Sequence, residues 1–180
     1  MQLSEIATYV EEKISSKYIS LEQYVTTDSL LPNKQGRTIA QNLPPVTCNL
    51  THYRKDDVLV SNIRPYLKKV WLADADGGCS TDVHVFRCKE SHSPFFLYSL
   101  LLQDRFYDYV MCGAKGSKMP RGDKEQIMRY IIPTFSKQQE ENVGKLVLDI
   151  CNKIELNRAI NQNLPTPDRS SATAIVRRAA

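Results

Sequence analysis

Asn62, Arg64 and Arg121 are the side chains with the shape to read a base edge. A guanidinium offers guanine O6 and N7 two parallel donors, and a carboxamide pairs with adenine N6 and N7; each good pair discriminates by about 1–3 kcal/mol. All three lie in kinked or glycine-flanked segments able to enter a groove. Arg121 belongs to the run Gly113–Tyr130, which holds three glycines, a proline and five cations (Lys115, Lys118, Arg121, Lys124, Arg129) against two carboxylates. Glycine lets backbone approach a ligand with no Cβ in the way. Lys68, Lys69, Lys115 and Lys118 suit phosphates, as point charges that position without reading sequence. Ser117 lies in the same basic loop, and Ser80 and Thr81 offer hydroxyls to a phosphate, a base, or equally a turn cap. Tyr24, Thr27 and Tyr66 rank behind these. Each residue has a plainer role open to it: a solvated surface turn for the basic loop, an ion pair with an acid such as Asp82 for Arg64, core packing for Tyr66.

Bond-making chemistry finds no support. Gly113–Lys118 lacks the Walker spacing, and no glycine-rich cofactor loop follows a strand. Glu11-Glu12-Lys13 has no upstream aspartate to complete a nuclease metal site. Arg121-Gly122-Asp123 spells an adhesion tripeptide by chance. His84 reads as an outward position of an alternating strand, and His52 and His92 lie near turns. Cys48, Cys79, Cys88, Cys112 and Cys151 form no Cys-x-x-Cys pair and no zinc pattern with the histidines, so reduced, mostly buried thiols are expected. No catalytic residue, metal site or cofactor is therefore assigned.

The 180 residues suffice for one core with an appended element, and 42% are apolar. The formal charge is +4, of which Arg169, Arg177, Arg178 and Asp168 in the tail supply half. Placement of the cations, not their sum, must carry any nucleic-acid argument. No apolar run approaches a membrane span, and Met1–Val10 lacks the pattern of a signal peptide.

The elements that must position these residues follow from periodicity. Leu3, Ile6, Ala7, Val10 and Ile14 predict an amphipathic helix over Leu3–Ser16. Tyr18–Val25 alternates as a strand. Leu31–Pro45 is mostly loop. Strands are expected at Val58–Val60, Lys69–Leu72 and within Ser80–Cys88, with Asp74–Gly78 as a turn. Pro94 opens a helix to about Met111, and Ile127–Ile132 reads as a short strand. Ser136, with Gln139 as capping-box partner, begins a helix to about Leu164. These 29 residues would extend about 43 Å, more than a small domain's diameter, which favours an arm that meets another helix over a terminal helix packed on its own domain. Its apolar seam is Val143, Leu146, Val147, Ile150, Ile154, Ile160 and Leu164, with Asn157 as a polar position that fixes register. With four acids and four bases the helix is neutral, unlike one that enters a DNA groove. Pro165–Ala180 reads as a flexible tail. The fold class is α/β (α+β): a globular body with a small mixed sheet, then one long coiled-coil-type helix.

Taken in order, four segments resemble the specificity subunit of type I restriction–modification enzymes: Asp57–Lys69, Gly77–Asp82, Gly113–Arg121, and Ile131-Ile132-Pro133 with Gln138–Glu140 and Lys153–Asn157. The likeness spans about Leu3 to Leu164. It implies a target recognition domain over 1–135, a spacer and dimerisation helix over 136–164, and a tail over 165–180. Members of that family carry two such units in tandem, each reading half of a split duplex target; their paired helices set the gap and dock methyltransferase subunits. One unit here implies a half-length form, native or truncated. The resemblance further implies a non-catalytic, cytoplasmic subunit, with partners in double-stranded DNA, a methyltransferase subunit and a restriction subunit, a homodimer through the C-terminal helix, and no membrane. Two other readings stay open, an enzyme of unknown type on the same body and a helix-mediated assembly protein without a DNA role.

Overall fold

The structure, a computed structural model, describes residues 1–163; Leu164 of the apolar seam and the tail lie outside the described residues. A single turn of helix, α1 (Leu3–Ile6), leads directly into β1 (Ala7–Tyr9) and β2 (Lys13–Ser15). Then come β3 (Tyr24–Val25), β4 (Asn49–Tyr53), β5 (Val58–Ser61), β6 (Val70–Leu72), β7 (Gly77–Cys79) and β8 (Val83–Cys88). The helices α2 (Pro94–Leu101), α3 (Asp104–Cys112), α4 (Lys124–Met128) and α5 (Lys137–Asn163) follow. The chain divides into two units, Met1–Val147 and a second that begins at Leu148.

The first unit is mixed α and β, as expected, but it holds two sheets instead of one. The first runs β1-β8-β5-β6 and is antiparallel throughout. The second runs β2-β4-β7-β3, with β3 parallel to β7. Leu59, Trp71, Val83 and Val85 of the first sheet share one core with Val25, Tyr53 and Cys79 of the second. The Tyr53 and Trp71 rings meet edge to face at 5.8 Å, a geometry that adds to their area burial. On the first sheet, α2 packs against β5 and β8.

Several local expectations fail for tertiary reasons. The helical spacing of Leu3–Ser16 yields one turn, because Ala7–Tyr9 pairs with Phe86–Cys88; sheet pairing overrides a short amphipathic pattern. Of the Tyr18–Val25 strand only Tyr24–Val25 remains, and Ser16–Tyr18 is a 3-10 turn. The glycines of the expected Asp74–Gly78 turn are strand instead. A Cβ on Gly77 would lie 2.4 Å from both the Gln23 carbonyl oxygen and the Tyr53 hydroxyl, so glycine here serves close approach. Helix Pro94–Met111 is two helices, broken at extended Gln103 (φ −72°, ψ 139°). Ile127–Ile132 is not a strand: Asp123 Oδ1 accepts from Gln126 N at 3.0 Å and caps α4. Ile131 makes only an isolated bridge to Gln2, beside a bond from Leu3 N to Tyr130 O at 2.9 Å. Of the five cysteines only Cys79 is buried; Cys48 and Cys112 are exposed.

The capping box of α5 forms as read. Ser136 N donates to Gln139 Oε1 at 2.9 Å, and Gln139 N donates to Ser136 Oγ at 3.4 Å. Within the first unit, Glu140 is buried and its carboxylate meets His92 Nδ1 at 3.0 Å. Gly144 lies so near the Phe95–Phe96 backbone that a Cβ would fall 2.7 Å from Phe96 N. Neither contact was visible as spacing.

Candidate nucleic-acid interface

Three loops from distant parts of the sequence are stitched together by backbone hydrogen bonds. In the first, β5 ends and Arg64 takes a left-handed conformation (φ 51°) before the tight turn Pro65–Leu67; Lys68 (φ 52°) closes it. Left-handed non-glycine residues each cost on the order of 1 kcal/mol or more and persist where surroundings over-determine them. Those surroundings are visible here. Arg64 N donates to Pro120 O at 2.8 Å, Asn62 N to Asp82 O at 2.8 Å, and Gly122 N to Asn62 O at 3.4 Å.

The second loop is the basic glycine run. Lys115 and Arg121 exchange two backbone hydrogen bonds, both 2.9 Å, so residues 115–121 close on themselves. Gly116 (φ 95°) supplies the positive φ the closure needs. Ser117, Lys118 and Met119 form the exposed tip. The third loop, Leu31–Arg37, was not singled out by sequence. Asn33 N donates to Leu67 O at 2.8 Å and Lys34 N to Lys68 O at 2.9 Å; both residues are also left-handed.

The three loops bring Asn62, Arg64, Lys115, Ser117, Lys118 and Arg121 into one region, with Ser80 and Thr81 beside them in the β7–β8 connection next to Asp82. Their side chains differ in freedom. Arg64 and Lys118 are exposed and make no ion pair among the described residues. Arg121, and not Arg64, meets Asp82, through Nη2 at 3.3 Å. Lys115 reaches Asp123 at 3.1 Å; the Gln126 amide and then Lys115 hold that carboxyl below its usual range. Asn62 turns its Oδ1 inward, buried and without a partner. Lys68 shares Asp104 with Lys34, at 2.9 and 2.6 Å. Those two amines, Lys34 first, hold the Asp104 carboxyl down at about 2. Lys69 Nζ donates to the Thr27 carbonyl. The Ser80 and Thr81 hydroxyls make no cap; Ser80 holds the turn through its backbone, donating to Val25 O at 2.9 Å and accepting from Val83 N at 3.0 Å. Tyr24 is buried, whereas Tyr66 is exposed and not core.

His84 corrects the sequence reading most sharply. Its strand, β8, is interior to the sheet between β1 and β5. Both faces of β8 are covered from Val83 to Phe86, so His84 does not stand outward and is only 5% exposed. Among the described residues no three His, Cys, Asp or Glu side chains group as metal ligands, and no helix is long and apolar enough to cross a membrane.

On α5, Leu146 in the first unit is exposed, with Val143 and Val147 half-buried. In the second unit Ile150, Ile154 and Ile160 each expose roughly half their surface, and Asn157 is exposed with them.

Comparison with known proteins bears on this arrangement. No family model matches the chain. Over 144 residues it is 28% identical to the type I restriction enzyme EcoDI specificity subunit of Escherichia coli, covering 74% of this chain and 31% of that protein. The chain resembles a type I restriction specificity subunit. Solved structures agree in fold. The HsdS subunit from Thermoanaerobacter tengcongensis superposes with a TM-score of 0.65 at 20% identity, covering 89% of this chain and 43% of that one. A chain from a structure on complex assembly and conformational transition of the type I R-M system gives 0.65 at 20% identity, with 93% and 50% covered. The type I restriction–modification S subunit from M. genitalium gives 0.55 at 14% identity, with 88% and 42% covered. The chain thus spans 31% to 50% of the length of these proteins.

Proposed function

We propose that this chain is the sequence-reading component of a type I restriction–modification complex. Its body, residues 1–135, reads one half-site of duplex DNA; its helix, 136–164, pairs with a second helix and docks a methyltransferase subunit, with a restriction subunit joining the complex; 165–180 is a tail. The chain itself makes and breaks no bonds, needs no cofactor and works in the cytoplasm. The observation that carries this reading is the backbone clasp between Ile63-Arg64 and Pro120-Arg121. It sets forked arginines and the exposed Lys118 tip on a rigid frame, and base readout requires such preorganisation. Arg121 reads a base after exchanging its exposed Asp82 contact, which is weak enough to yield. Lys115, Ser117, Lys118, Ser80 and Thr81 meet phosphates, while Arg64 completes the reading edge and Asn62 joins it once its inward Oδ1 has turned out to the groove. The apolar face of α5, Val143, Leu146, Val147, Ile150, Ile154 and Ile160 with Asn157, supplies the helix pairing, and Leu164, outside the described residues, continues the same sequence pattern.

Binding of the chain with its methyltransferase companion to a library of randomised duplexes tests this. Enrichment of a defined half-site is expected; equal affinity for all duplexes sinks the proposal. Light scattering of the full chain and of a chain ending after Pro133 tests the pairing, with a dimer expected only for the former.

A further inference from the structure

The connection from β1 to β2 passes between the two sheets, and beside it a cleft of about 370 Å³ opens. Tyr9, Lys13, Thr51, Thr81, His84 and Lys124 line it. The volume suits a small ligand group, and the lining states its chemistry. Lys13 Nζ donates to Thr51 Oγ1 at 3.2 Å, which fixes the ammonium and leaves two of its donors free. Lys124 Nζ stands 5.4 Å from the centre of the Tyr9 ring, while the Tyr9 hydroxyl donates to Lys124 O at 3.3 Å. Those contacts hold the start of α4 against the cleft. The Thr81 hydroxyl has no partner among the described residues. At the back of the cleft sits His84, whose Nε2 is buried and unpartnered. A buried polar atom left alone is unfavourable and asks for an explanation, such as a bound group. Burial first, and the Lys124 charge second, bring the imidazole down to about 4, so it is neutral at pH 7 and serves as a hydrogen-bonding wall.

Two ammoniums repel a metal ion, and an apolar guest would strand two amines and two hydroxyls. An anion rich in acceptor oxygens satisfies them. We propose that this cleft binds a phosphate group, held by the Lys13 and Lys124 ammoniums and the Thr51 and Thr81 hydroxyls, against His84. Glu11 is the one carboxylate on the described wall, and it opposes the occupant. The phosphate comes from a duplex backbone or from a free nucleotide. In the first case the site widens the DNA-reading surface, since Thr81 adjoins Asp82, and rests on that proposed function; in the second it shares only Thr81 with that surface and does not rest on it.

The test uses the full chain, ring-labelled at histidine, followed by NMR at pH 7 during titration with inorganic phosphate and, separately, with a mixed-sequence duplex. His84→Gln assigns the signal, and His92, bonded to Glu140, serves as the unmoved control. His84 should shift with at least one titrant. A shift with the duplex alone assigns the occupant to the nucleic-acid backbone, and a shift with phosphate alone to a free anion. Lys13→Gln and Lys124→Gln, both at exposed positions, should each weaken that response up to about tenfold, and Glu11→Gln should strengthen it. No His84 response to either titrant, or one that survives both lysine changes together, overturns the proposal. If duplex binding by the complex falls on Lys118→Ala but ignores the cleft variants and His84 stays still, the cleft fails and the DNA reading stands. If His84 answers phosphate while the complex selects no duplex, the reverse holds.

Discussion

Lys34 and Lys68 converge on one carboxylate, Asp104, at 2.6 and 2.9 Å, whereas Arg64, in the clasp, and Lys118, in the loop it holds, meet none among the described residues. The two groups lie on interlocked loops, yet they offer an incoming phosphate different terms. A free ammonium exchanges only water and counterions for a phosphate oxygen. A paired one must first give up its carboxylate, and that trade cancels much of the gain. Pairing state, not the number of cations, therefore predicts which residues contribute to affinity.

The strongest way to break this contrast is Arg121→Ala. Arg121 is the member that is paired, to Asp82, and still expected to read. Its loss should relax preference at one base position by about 1–3 kcal/mol, measured as the affinity ratio between matched and mismatched duplexes. An equal loss on every sequence would place it with the phosphate contacts. Next in size is Lys118→Ala, which should weaken all duplexes alike and reduce the salt slope by about one unit, while Lys68→Ala should change that slope less. Asp104→Asn sharpens the comparison from the other side. Freeing two ammoniums should steepen the salt dependence of binding; an unchanged slope would mean Lys34 and Lys68 lie away from the nucleic acid.

The smallest effect is on stability against pH. Lys34 and Lys68 hold the Asp104 carboxyl at about 2, below the unfolded value of about 3.9. A depressed carboxyl contributes fully above the unfolded value and loses that contribution as pH falls toward the folded one. Melting temperatures of the native chain and Asp104→Asn should differ from neutral pH down to about 4 and converge by about 2. A gap that persists at pH 2 would assign the difference to packing instead.

Sequence disclosed the first sheet better than the second for a physical reason. Val58–Ser61, Val70–Leu72 and Val83–Cys88 are β-branched runs whose packing is written in their composition. The second sheet is built from Tyr24–Val25, Asn49–Tyr53 and Gly77–Cys79. Gly77 is crowded by Gln23 and Tyr53, and Gly78 by Leu50 and Ile19, a demand that comes from residues remote in the chain. The basic loop and the kink at Arg64 could be seen because glycine and proline mark them. Lys34 and Asp104 could not, since nothing local announces that three loops will converge, although Pro32-Asn33 is a turn signal before Gly36. His84 was misplaced because alternation alone does not say whether a strand's second face is covered, as it is in β8. The cap of α5 was legible as a local pattern, and the Glu140–His92 contact beneath it was not.

The bond from Leu3 N to Tyr130 O, with the bridge from Gln2 to Ile131, has a consequence for synthesis. Translation proceeds at about 5–20 residues per second, so Leu3 waits on the order of ten seconds for its acceptor to be made. Until then α1 lacks its seat, and β1 can meet β8 only in a nascent chain whose margin is still open. Acquisition of native structure should therefore be late and abrupt, with N-terminal protection from proteolysis arising only after residue 130 has cleared the ribosome.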